Sequence, residues 1–99
     1  MIDEPGQKLP DNLEFTVTAK DITVGRRSHP NLCPIALAAQ RYFKTEEPVV
    51  VGAINIMFEN YGYLLDDASL AFRRDFDAGH PVKPCKIRTI NTLRLSTFA

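Results

Sequence analysis

Ninety-nine residues and 11.1 kDa leave room for one domain and little besides. Twelve Lys and Arg balance twelve Asp and Glu, so the formal net charge is zero. That excludes a nucleic-acid coat and a polybasic membrane tether, both of which need a lasting positive excess. With 44% hydrophobic and 24% charged residues the chain also stands apart from the disordered class. A domain of this size buries only about 65% of its unfolded surface, so its core is thin and a partner is expected to help.

Residues 1–12 contain Asp3, Glu4, Pro5, Gly6, Pro10 and Asp11, with Leu9 the only apolar residue after Ile2. This composition predicts a flexible N-terminal arm, with too little to bury against its ordering entropy. It also places acids where a signal peptide needs positive charge. A single α+β domain is expected over 13–95, with 96–99 as a C-terminal tail. It opens on Leu13-Glu14-Phe15-Thr16-Val17-Thr18-Ala19, whose period-two alternation predicts a strand with Leu13, Phe15 and Val17 facing the core. Lys20 to Gly25 reads as a turn or one helical turn, capped by Asp21 and stopped by Gly25. Arg26 to Leu32 has the composition of a loop.

Cys33-Pro34 starts a helix, because proline is at ease at the first helical position. Ile35, Ala38, Ala39 and Tyr42 then mark one amphipathic face, and Thr45 to Pro48 end it. Val49 to Phe58 shows no alternation and predicts a central strand apolar on both sides. This run of ten residues, broken by Gly52 and Asn55, is well short of the roughly 20 that a membrane-spanning helix needs. Asn60-Tyr61-Gly62 supplies a turn into a short strand, Tyr63 to Leu65. Asp66 or Asp67 caps a second helix reaching about Ala78, with Leu65, Ala68, Phe72 and Phe76 on its buried side and Gly79 as a left-handed terminator. Cys85 to Leu95 alternates again, with Cys85, Ile87, Leu93 and Leu95 inward and Lys86, Arg88 and Arg94 outward. The order is β-α-β-β-α-β, a two-layer sandwich of about four strands and two helices. Two helices cover one face of such a sheet, so the doubly apolar strand calls either for a helix on each face or for a second chain on the open face or an edge.

Three stretches stand out together: Asp21-Ile22…Gly25, Cys33-Pro34-Ile35-Ala36-Leu37, and Phe76-Asp77-Ala78-Gly79-His80-Pro81-Val82-Lys83-Pro84. Over roughly residues 13–88 the chain resembles a group of small uncharacterised proteins encoded by actinobacteriophages, including mycobacteriophages, and their prophages. It departs from them at Cys85, where the group tends to place an aromatic residue, and in its shorter C-terminal extension. The resemblance implies a phage origin and a bacterial cytoplasm; it implies no activity.

Two cysteines 52 positions apart are too few for a secreted disulfide framework, which again points to a reducing cytoplasm. At a helix N-cap the Cys33 sulfur would lie near unpaired N–H groups, and His29 four residues earlier would serve as its base. The simpler reading, a small apolar residue packed between helix and sheet, is favoured because no oxyanion motif or third group is evident. His29-x3-Cys33 and His80-x4-Cys85 have the form of two half-sites for zinc, but spacing alone is weak evidence, and no metal or cofactor is expected. A Cys33–Cys85 disulfide is disfavoured in a reducing compartment. Charge is unevenly placed: residues 1–25 carry two bases and five acids, whereas 78–99 carry Lys83, Lys86, Arg88 and Arg94 with no acid. On one strand face Lys86, Arg88 and Arg94 would form a cationic stripe, extended by Arg26 and Arg27 and able to meet nucleic acid or an acidic partner. The alternative, charges that discourage edge-to-edge association, is favoured. Arg73, Arg74, Asp75 and Asp77 read as a solvated helix face with an i,i+4 pair. Phosphate-loop, dinucleotide and metalloprotease signatures are absent. The expected function is therefore that of a small phage accessory protein without enzymatic activity, binding a host or phage protein and self-associating as a homodimer. Nucleic-acid or nucleotide binding is the alternative, and a Cys33-dependent enzyme comes third.

Overall fold

A computed structural model describes residues 12–59 and 61–94. The expected arm and tail fall almost wholly outside the described residues. Eight elements follow in order: β1 (Glu14–Val17), α1 (Ala19–Val24), α2 (Pro34–Phe43), β2 (Val50–Val51), β3 (Asn55–Phe58), β4 (Tyr61–Leu65), α3 (Asp67–Asp77) and β5 (Cys85–Arg94). The strands form one antiparallel sheet in the order β1-β5-β4-β3-β2. The α+β class stands, but the described residues form five strands and three helices where about four and two were expected.

The extra strand comes from the apolar run. Val49 to Phe58 is a hairpin, β2 and β3, that turns where Gly52 N–H donates to the Asn55 carbonyl at 2.7 Å. Gly52 and Asn55 are turn residues, and they override the continuous hydrophobicity around them. Alternation then reappears within each arm: Val49, Val51, Ile56 and Phe58 are buried, while Val50 and Ile54 are exposed. The run therefore ends at a sheet edge, and β4 lies near the middle instead. Val51 N–H is taken by the Pro30 carbonyl at 2.7 Å, which closes part of that edge.

The extra helix, α1, is capped by Thr18 rather than by Asp21. Thr18 Oγ1 accepts the Asp21 N–H at 3.2 Å, and the Asp21 carboxylate accepts the Thr18 N–H at 2.9 Å, a reciprocal capping box. Cys33 is the N-cap of α2 and Pro34 its first residue, and the helix ends on Lys44 at φ +56, just before the Thr45–Pro48 stretch expected to stop it. Asp66 caps α3, and Gly79 at φ +85 ends it. Ala68 is exposed; Ser69 is buried in its stead, its Oγ accepting the Arg88 N–H at 2.9 Å along an edge of β5 that β4 has vacated. The turn after β3 falls on Glu59 (φ +58), so Tyr61 and Gly62 already belong to β4.

The core lies on one face of the sheet. Leu13, Phe15, Val17, Ile56, Tyr63, Leu65 and Ile87 point into it, met by Ile35, Ala38 and Ala39 of α2 and Phe72 of α3. Phe43 stacks on Phe58 with ring centres 4.2 Å apart. Tyr42, expected in the buried stripe, is 39% exposed and tilts against Phe15 instead. A bulge opposite Leu64 and Leu65 breaks the alternation of β5, so Asn91 is exposed and Thr92 half-buried. Among the described residues no helix is long and apolar enough to cross a membrane.

Candidate functional site

The loop 25–33 is fixed at both ends by backbone bonds: Arg26 N–H to the Leu32 carbonyl, and Gly25 N–H to the Asp21 carbonyl. Between them Ser28 adopts φ +55, and its N–H donates to Asp77 Oδ1 at 2.9 Å. Asp77 Oδ2 lies 3.5 Å from Arg73 Nη1 one turn earlier on α3. Loop and helix together enclose a cavity of about 100 Å³ lined by Ser28, His29, Cys33, Arg73 and Asp77, with Pro30 and Val51 as its apolar part. His29 and Cys33 thus share one cavity. Arg73 and Asp77, read from the sequence as a solvated face, complete its wall, with side chains only 29% and 19% exposed. Their part could not be read from spacing, because the loop that covers them lies more than forty residues away.

Burial governs the chemistry of this cavity. Cys33 is 7% exposed, and its Sγ accepts the Ala36 N–H at 3.5 Å. Desolvation pushes the thiol pKa up, and the N–H groups of Ala36 and Ile35 pull against it without prevailing; Asp77 raises it further and Arg73 lowers it. The net shift favours the protonated thiol. His29 Nδ1 is buried and meets no hydrogen-bond partner among the described residues. The cavity is polar and has room for ordered water, the usual means of satisfying such an atom.

The remaining candidates lie elsewhere. Cys85, half-buried at the start of β5, is a free thiol like Cys33. His80 sits beyond α3, its Nδ1 3.5 Å from Asp75 Oδ1 at an exposed position. Among the described residues no three His, Cys, Asp or Glu side chains converge as a metal site would require.

Lys86 and Arg88 do share the face of the sheet turned away from the helices. Opposite Arg88 in the ladder stands Glu14, whose Oε2 accepts Arg88 Nε at 2.9 Å and lies 3.5 Å from Lys86 Nζ. The Arg88 hydrogen bond and both positive charges hold the Glu14 carboxyl below its ordinary range. The cluster therefore carries one net positive charge. Arg94 stands opposite Tyr61, beyond the bulge that interrupts the alternation. Arg27 lies against Gly79 at the end of α3, beside His80 and Pro81, and Arg26 is exposed on the same loop.

The uncharged part of that outer face takes Val50, Asn55 and Met57 from the apolar run expected to need cover on both sides, whereas the exposure of Ile90 was not expected. Register places Val50, Met57 and Gly62 in one row, and Asn55, Leu64 and Asn91 in the next. Ile90, at the bulge, is 64% exposed and Val50 37%. No protein-family model, curated protein or solved structure matches the chain.

Proposed function

We propose that this is a small phage accessory protein that acts by protein–protein binding, as a homodimer joined through the outer face of its sheet. The observation that carries this reading is the apolar half of that face. An antiparallel sheet readily turns one face to water when that face is polar. Here Ile90 and Val50 are exposed beside the half-buried Leu64 and Met57, and among the described residues no element covers them. Apolar side chains exposed on a sheet face favour an interaction site there. A two-fold contact needs a patch complementary to itself. Glu14 beside Lys86 and Arg88 gives the polar half both signs of charge, and the chain's zero net charge opposes no association.

Light scattering after size exclusion tests the proposal. The expected mass is that of two chains, falling to one in Ile90→Lys, which introduces a charge where the partner's apolar residues would lie. A single-chain mass for the unaltered protein at tens of micromolar would overturn it.

A further inference from the structure

A second site, which shares no residue with that face, lies beyond the ends of α1 and α3. A pocket of about 370 Å³ opens between them, with Ile22, Phe76, Pro81 and Val82 as its apolar wall. Ile22, Phe76 and Val82 are half-buried and Pro81 is exposed, so the wall is backed by the core and still faces solvent. Phe76 is further held by Phe72, whose ring lies parallel to its own with centres 6.4 Å apart.

Arg27 supplies the pocket's positive charge. Its Nη1 would stand 2.6 Å from a Cβ on residue 79, so the guanidinium lies against Gly79 in space that a side chain would fill. Among the described residues it has no hydrogen-bond or ion-pair partner. The acids at the end of α3 are engaged elsewhere: Asp77 by the Ser28 N–H and Arg73, Asp75 by His80. No carboxylate lines the pocket. The helix terminus offers an anion little opposition, because three of the last four carbonyls of α3 are already taken. Those of Arg74, Asp75 and Phe76 accept the N–H groups of Ala78, His80 and Gly79.

The same bonds decide what the pocket can hold. The N–H groups of Gly25, Arg26, Gly79 and His80 are all spent within the chain, and Pro81 has none. A peptide laid here would desolvate its amides with little offered in return. No lining residue belongs to a strand, so there is no sheet edge on which a second copy could pair. A ligand with one anionic group and an otherwise apolar body needs neither.

We propose that this pocket binds a small monocarboxylate with an aryl or alkyl body. The carboxylate accepts two parallel hydrogen bonds from the fork of Arg27, and the body lies on Ile22, Phe76 and Val82.

The probe is 3-phenylpropanoate, titrated into the full-length protein and followed by its amide resonances. The expected result is saturable shifts at Gly79, His80 and Val82, with a Kd of about 1 mM or below. Arg27→Gln, at an exposed loop position, should weaken binding roughly tenfold, and Arg27→Lys should recover only part of the loss because an ammonium lacks the fork. Neutral 3-phenylpropanamide and acetate should each bind at least roughly tenfold more weakly, the first lacking the charge and the second the apolar body. Ile90→Lys should leave the affinity unchanged, which separates this site from the dimer face. The proposal is overturned if the shifts do not saturate, if Arg27→Gln binds as tightly as the parent, or if either control ligand matches the probe. It is equally overturned if the tripeptide Gly-Gly-Phe with a free carboxylate binds more tightly, for then a peptide C-terminus is the occupant.

Discussion

Cys33 shows how burial outweighs a helix terminus. A thiol at an N-cap feels the unpaired N–H groups of the first turn, and that alone would favour the thiolate. At Cys33 those groups are present, yet removing the sulfur from water dominates and the pKa rises. The expected consequence is selective alkylation. At neutral pH an uncharged thiol reagent should modify the half-buried Cys85 first and Cys33 at least roughly tenfold more slowly, with the two rates converging in denaturant. Peptide mapping of partly alkylated protein measures both, and fast modification of Cys33 in the native state would restore it as a nucleophile. The sequence disclosed the cap itself, since Cys33-Pro34 precedes a clear amphipathic stripe. It could not disclose the neighbours that decide reactivity: Arg73 and Asp77 arrive through tertiary packing, and only their i,i+4 spacing on α3 was visible in advance.

Where elements meet, two glycines make contrasting demands. At Gly25, between α1 and the loop leading to α2, an added Cβ would lie 2.7 Å from the Asp21 carbonyl oxygen and 2.7 Å from the Pro34 ring. Both obstacles are stiff, one backbone and one proline, so the junction itself must shift. At Gly79 the obstacle is the mobile tip of Arg27, and the penalty is the left-handed backbone at φ +85. Gly25→Ala should therefore cost about 1–3 kcal/mol, as overpacking does, and Gly79→Ala about 1 kcal/mol. Urea unfolding of the two variants checks the order, and an inverted ranking would mean that the loop yields more easily than its contacts imply. Elements that follow one dominant signal were readable in advance: the alternation of β1, the stripe of α2, and the cap and terminator of α3. The β2–β3 hairpin was misread as one strand because two turn residues compete with eight apolar ones, and hydrophobicity alone does not say where a chain reverses. The bulge in β5 carries no local mark at all. It lies opposite the end of β4, just before α3 begins, and Ile90 and Asn91 are both exposed there.

At the scale of the whole molecule, one buried acid ties three elements together. Asp21, 4% exposed, accepts both arms of the Arg41 guanidinium at 3.0 and 2.8 Å and the Thr18 N–H at 2.9 Å; Arg41 continues to the Thr16 carbonyl. Thus α1, α2 and the end of β1 share a single charged joint. Burial pushes the Asp21 carboxyl up, but the Arg41 and Thr18 hydrogen bonds, with the charge of Arg41, outweigh it and hold the pKa below the ordinary 3.8. The sign of the linkage follows. A depressed native pKa means that the unfolded chain binds the proton more readily, so the stabilisation is complete above the unfolded value of 3.8 and is lost as pH falls through the native one. Asp21→Asn keeps a hydrogen-bonding side chain and removes the charge. It should cost about 1–3 kcal/mol at neutral pH, in the range of hydrogen bonds to charged groups, because Arg41 is half-exposed and water compensates part of the loss. Near pH 2 the gap between variant and parent should narrow, since the parent's carboxyl is then increasingly protonated as well. Thermal melts of both proteins between pH 2 and 7 measure this directly. A gap that stays constant across that range would show that the joint acts through shape, with no contribution from its charge.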